Sequence, residues 1–77
     1  MDDKKVKILL GKRIKQLRQS FNFTQFVLGE KIDINQRQVA QIESGHSFPS
    51  LSTLVKSFVT LSLPPLKEIQ LKSTYHL

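Results

Sequence analysis

The chain has 77 residues, no Cys, two His, and a net charge of +6 from 12 Lys or Arg against six Asp or Glu. A chain this short buries only about 60% of its unfolded surface, so it holds one domain, and residues 1–77 are read as that single domain. The missing Cys exclude a disulfide framework, thiol chemistry and a Cys-based zinc site. His46 and His76 are too few and too far apart to suggest a metal cage, and no cofactor is expected.

Residues 1–5 are charged and carry no apolar stripe, which predicts a loose arm or a first helical turn. Val6, Leu10, Ile14, Leu17 and Phe21 then recur at spacings of four, four, three and four, with Lys7, Lys12, Arg13, Lys15 and Gln16 between them. This is the pattern of an amphipathic helix. Asn22 tolerates the left-handed conformation of a helix stop, so the helix should end near it, with Phe23 turning inward.

Thr24 is a suitable N-cap for a second helix, whose Leu28 and Ile32 form a core-facing pair. Gly29 costs about 0.5 to 1 kcal/mol against Ala inside a helix, so close approach of another backbone is expected there. Asp33 falls at a turn and Ile34 drops into the core. Asn35 caps a third helix, with Gln38 placed to return a hydrogen bond in a variant of the capping box. Val39 and Ile42 face inward, which turns Gln36, Arg37, Ala40 and Gln41 outward. Gly45 supplies the stop.

Phe48 is extended because Pro49 follows it, and Ser50 can cap a fourth helix carrying Leu51, Leu54, Val55, Phe58 and Leu61 at helical spacing. Pro64 and Pro65 can start a fifth short helix with Leu66 and Ile69. Residues 73–77 show no pattern and are read as a loose tail. The expectation is an all-α bundle of five short helices, with a helix-turn-helix over residues 24–45.

The polar face of the third helix bears on function. Gln36, Arg37, Gln38 and Gln41 have forked polar heads that suit base edges, and folding alone does not require so many of them. Gln38 is also explained by capping. The basic charge is uneven: residues 1–20 hold seven Lys or Arg against two Asp, whereas residues 21–50 sum to −1. Such a balance favours a polyanionic partner, although a solvated lysine face explains Lys4, Lys5 and Lys7 as well. No apolar run approaches a membrane span or a signal peptide, so no membrane partner and a cytoplasmic location are expected. An enzyme is not expected, because there is no nucleophile with a nearby base and no Gly-rich phosphate loop.

The run GKRIKQLRQ, the TQ opening the second helix, Gly29, Ile34, Val39, Ile42, the IESG closing the third helix and FPSLSTL together resemble the phage-repressor and Cro-like helix-turn-helix family. The resemblance spans residues 10 to 69. It implies a double-stranded DNA operator as partner, read in the major groove by Gln36, Arg37 and Gln41, with Gln38 beside them. It also implies that Gln25 touches a phosphate and braces the recognition helix, and that His46, Ser47 and Ser50 approach the backbone. Asn35, Lys12 and Arg13 join these phosphate contacts. Arg18 and Glu43 match a structural ion pair.

A homodimer is expected, with its surface sought among Leu63, Leu66, Ile69 and Leu71. A repressor, a restriction-modification controller and an antitoxin with a toxin partner share this architecture. A protein-interaction module with little DNA specificity is a reading of another class. Phe26 and Val27 replace positions commonly charged in the family, and extra core with Phe21 and Phe23 is the favoured account. Phe58 stands where the family often has a small residue, so the core would be overpacked unless Gly29 releases space.

Overall fold

The computed structural model describes residues 2–62. Its four helices are α1 (Asp3–Ser20), α2 (Gln25–Ile32), α3 (Gln36–Glu43) and α4 (Leu51–Ser62), and no strand occurs among the described residues. The expected fifth helix, the tail and the Leu63 to Leu71 dimer surface lie outside the described residues.

Each helix begins at a side-chain cap that satisfies backbone N–H groups left open by the first turn. The Asp2 carboxylate accepts from Lys5 N at 2.8 Å, so residues 3–5 are the first turn of α1 rather than a loose arm. Thr24 Oγ1 accepts from Val27 N at 3.1 Å, and Ser50 Oγ accepts from Thr53 N at 3.1 Å. In α3 both halves of the capping box are made. Asn35 Oδ1 accepts from Gln38 N at 2.8 Å, and Gln38 Oε1 accepts from Asn35 N at 2.9 Å.

The turns use left-handed residues. Asn22 (φ 60°) follows α1, where Phe23 N donates back to Arg18 O at 3.1 Å. Asp33 (φ 62°) ends α2, and Ile34 N donates to Gly29 O at 2.9 Å. Gly29 lies under this tight turn. A Cβ there would stand 2.6 Å from Ile34 O, so the α2–α3 angle depends on its absence.

Ile14, Leu28, Ile32, Val39, Ile42 and Leu61 form the buried core, with Leu10, Leu17, Phe21, Phe23 and Ile34 packed against it. Complete burial of a side chain such as Leu28 contributes about 1.5–3 kcal/mol. α1 lies directly on the end of α3: a Cβ on Gly11 would meet the carbonyl oxygens of Ile42 and Glu43, and one on Gly45 would meet Ile8.

Three expectations need correction. In α4 the buried positions are Thr53, Ser57 and Leu61, whereas Leu51, Val55 and Phe58 are exposed. The apolar spacing is helical, but most of the stripe faces away from the core. Phe58 therefore does not overpack the interior, since small Ser57 takes the inward place. Gly29 is no compensation for it, because its neighbours are Ile34, Asn35 and Val39. Phe26, expected as extra core, is also exposed, and only Val27 is half-buried. The Phe21 and Phe23 rings pair with each other, with centroids 5.6 Å apart, and Lys31 covers Phe23 at 5.0 Å, so that corner is filled without Phe26.

Candidate nucleic-acid interface

α3 carries the candidate site because its inward residues are fixed. Val39, Ile42 and Glu43 are buried, and successive residues turn by about 100°. Arg37, Gln41 and Ser44 consequently project from the opposite side of the cylinder. Gln36 and Ala40 flank them on one edge and Gln38 on the other. Arg37, Gln41, Ala40, Ser44 and His46 line one open groove. Gln38 and Gln41 line a second with Ser47, Phe48 and Ser50, where the connector reaches α4.

The polar residues divide by what they already bond. Gln38 and Asn35 hold each other at the start of α3. Gln25 Nε2 donates to Glu43 Oε1 at 3.1 Å, which ties the start of α2 to the end of α3. Glu43 also accepts from Arg18, and Arg18 Nη1 donates to Phe23 O at 2.8 Å. This buried cluster fixes α3 at its C-terminal end, as the capping box does at its N-terminal end. Rigidity matters here, because base-edge recognition requires side chains held in register. Among the described residues, the side chains of Gln36, Arg37 and Gln41 make no hydrogen bond within the chain; of the three, only the backbone carbonyl oxygen of Gln41 accepts from a side chain, Ser44 Oγ at 3.1 Å.

His46 Nδ1 and Ser44 Oγ are 2.8 Å apart, and His46 N donates to Gln41 O at 3.0 Å. The loop residue is thus drawn against the outward side of α3. Ser44 was not singled out in the sequence, although its position seven residues after Arg37 places it on the same side. Lys12 and Arg13 are exposed on α1, but both turn away from the Gly11, Ile14 and Arg18 side that is buried. Lys7 is closer to that surface: its ammonium lies 5.7 Å from the Phe48 ring, beside the connector that carries His46 and Ser47. Only the tertiary approach of α1 to the end of α3 reveals this.

Two short helices crossing at a tight turn, the second with a free polar outer side, define a helix-turn-helix. A family model described as helix-turn-helix matches residues 14–56, from the middle of α1 to the middle of α4. The chain belongs to the Cro/C1-type helix-turn-helix family of phage repressors and bacterial regulators, a family of DNA-binding transcription regulators. No curated protein matches the chain. No helix among the described residues is long and apolar enough to cross a membrane.

Proposed function

We propose that residues 1–77 act as one domain that binds double-stranded DNA sequence-specifically and represses transcription. α3 enters the major groove. Arg37 bonds guanine O6 and N7, and Gln36 and Gln41 bond adenine N6 and N7, each good pair contributing about 1–3 kcal/mol of discrimination. Gln38 lies beside them with its carbonyl oxygen engaged in the cap and its amide N–H groups left for the DNA. Gln25, Asn35, His46, Ser47 and Ser50 set the protein on the phosphates, while Lys12 and Arg13 add attraction from α1. The observation that carries this reading is the division of duties on α3: the buried and capping side chains are bonded within the fold, and Arg37 and Gln41 on the outer side are not.

A homodimer places two such helices in successive major grooves about 34 Å apart, which multiplies the phosphate contacts of one small domain. Selection of preferred duplexes from a random pool tests the proposal. A defined operator should emerge, and Arg37→Ala and Gln41→Ala should each lose preference at particular base pairs. Full preference in both variants would reject the groove assignment. An antitoxin or a restriction-modification controller would use the same groove contacts, and the neighbouring genes distinguish these roles.

Exposed Phe26 favours a second reading, a protein-interaction module in which Phe26 and Val27 meet a partner. Binding to random duplexes that never discriminates sequence, even at moderate salt, would select it.

A further inference from the structure

We infer that Ser44 and His46 form a proton-linked phosphate clamp: Ser44 holds the imidazole in both of its charge states, and DNA binding takes up one proton at His46. The inference rests on the DNA reading above, with its phosphate contact by His46, and it gives Ser44 a positioning role. Ser44 caps the end of α3 and is exposed, in the groove that also holds Arg37 and Gln41. The chain is pulled back over the helix end by His46 N, which donates to Gln41 O at 3.0 Å. From the other side Ile8 closes on Gly45, which makes the turn with φ 82°. The exposed His46 ring then rests with Nδ1 2.8 Å from Ser44 Oγ, and Ser44 Oγ donates to Gln41 O at 3.1 Å.

A hydroxyl carries one hydrogen and accepts as well as donates, so Ser44 suits either state of the ring. Beside a neutral ring with Nδ1 bare, the hydroxyl donates to Nδ1, and Gln41 O keeps the N–H groups of His46 and Ser47, at 3.0 and 3.3 Å. When a proton from water binds Nδ1, the new N–H donates to Ser44 Oγ and the hydroxyl turns to Gln41 O. No heavy atom has to move. Nε2, on the far edge of the ring, carries its hydrogen in both states and is the donor for a phosphate. Only the protonated ring also brings charge. The charges that face it are cationic: Arg37 across the groove, and Lys7 of α1 beside Phe48 on the same connector. Glu43 is turned inward to Arg18 and Gln25, and Asp2 and Asp3 at the start of α1 stand more than a turn before Ile8. The single charge of α4, Lys56, is paired with Asp33. Among the described residues the imidazolium thus has no hydrogen-bonded carboxylate, and a DNA phosphate is the anion it can meet.

Phosphate favours the charged ring, so its titration midpoint should stand higher in the complex than in the free protein. The added affinity is then fully present below the free midpoint and is lost as pH rises through the midpoint of the complex. The test is binding of the selected duplex and of a random duplex by the full chain, from about pH 5.5 to 8.5, the range in which histidine changes charge. Affinity for both should rise about tenfold toward the acid end, which corresponds to a midpoint about one pH unit higher in the complex. The salt slope should steepen by about 1. NMR titration of the His46 ring with and without duplex reads the midpoints directly. His76→Gln should keep the pH profile, and His46→Gln should flatten it. Ser44→Ala should make it shallower, whereas Ser44→Thr, which keeps the hydroxyl, should retain it. A flat wild-type profile overturns the inference, as does a profile that survives His46→Gln or is unchanged in Ser44→Ala. The parent reading fails separately: a pH profile without sequence preference keeps the clamp and rejects the base reading, and sequence preference with a flat profile rejects the clamp alone. A chain that binds no duplex at any pH rejects both.

Discussion

Arg18 of α1 and Glu43, the last residue of α3, meet through two hydrogen bonds, Nε to Oε2 at 2.6 Å and Nη2 to Oε1 at 3.0 Å. Both side chains are nearly excluded from water. Arg18→Ala would leave the Glu43 carboxylate in that site with only Gln25 as partner. Loss of one member of a buried pair costs about 3 kcal/mol or more. Denaturant unfolding should show this loss, and DNA binding should fall evenly across sequences because the folded fraction falls. A variant of unchanged stability that had lost preference at one base pair would instead assign Arg18 to the groove.

Gly29 should resist replacement although it lies within a helix. Propensity favours Ala by about 0.5 to 1 kcal/mol, but the new Cβ would lie 2.6 Å from the Ile34 carbonyl oxygen. That backbone is held by its own turn hydrogen bond and cannot move away as a flexible side chain could. The expected result for Gly29→Ala is a net loss of about 1–3 kcal/mol, read from a thermal melt. An unchanged or higher melting temperature would mean that the α2–α3 turn yields easily.

What the sequence makes legible is local. The caps at Thr24, Asn35 and Ser50, the left-handed Asn22 and Asp33, and the inward Leu28, Ile32, Val39 and Ile42 all follow from chemistry within a few residues of each position. Tertiary placement is less legible. The spacing of Leu51, Val55 and Phe58 shows a helix but not which side of it meets the core, because burial of Thr53 and Ser57 reverses the usual polarity. Phe26 fails for a related reason: Phe21, Phe23 and Lys31 already fill the corner it was expected to close. In the candidate site, the outward row from Arg37 to Gln41 is readable from periodicity, whereas the positions of Lys7 and His46 depend on how α1 and the connector pack on α3.

The capping box separates stability from recognition. Asn35→Ala removes the acceptor for Gln38 N and should cost about 0.5–2 kcal/mol, as loss of a good N-cap does. Gln38→Ala removes the reciprocal bond to Asn35 N and should cost less, about 0.5–1.5 kcal/mol. Titration of each variant with the selected duplex, at a temperature where both are folded, should leave the ranking of sequences unchanged for Asn35→Ala and alter it for Gln38→Ala, whose amide N–H groups are left for the DNA. An unchanged ranking for Gln38→Ala would confine its side chain to the cap.

Arg37 and Lys7 should differ in kind. Arg37 projects from the outer side of α3, so Arg37→Ala should cost about 1–3 kcal/mol at the base pair it contacts and leave substitutions elsewhere in the operator ranked as before. Lys7 lies over Phe48, beside the loop proposed to meet the phosphates. Lys7→Ala should weaken every duplex by a similar factor and reduce the salt slope of binding by about 1. Lys12→Ala should do the same less strongly, because Lys12 is exposed and turns away from the buried side of α1. Binding isotherms of the three variants at several salt concentrations, on the selected duplex and on one with a single mismatch, measure both quantities. Equal slopes for the Lys7 and Lys12 variants would mean that both act only as distant charge, and that the loop is not where the backbone is held.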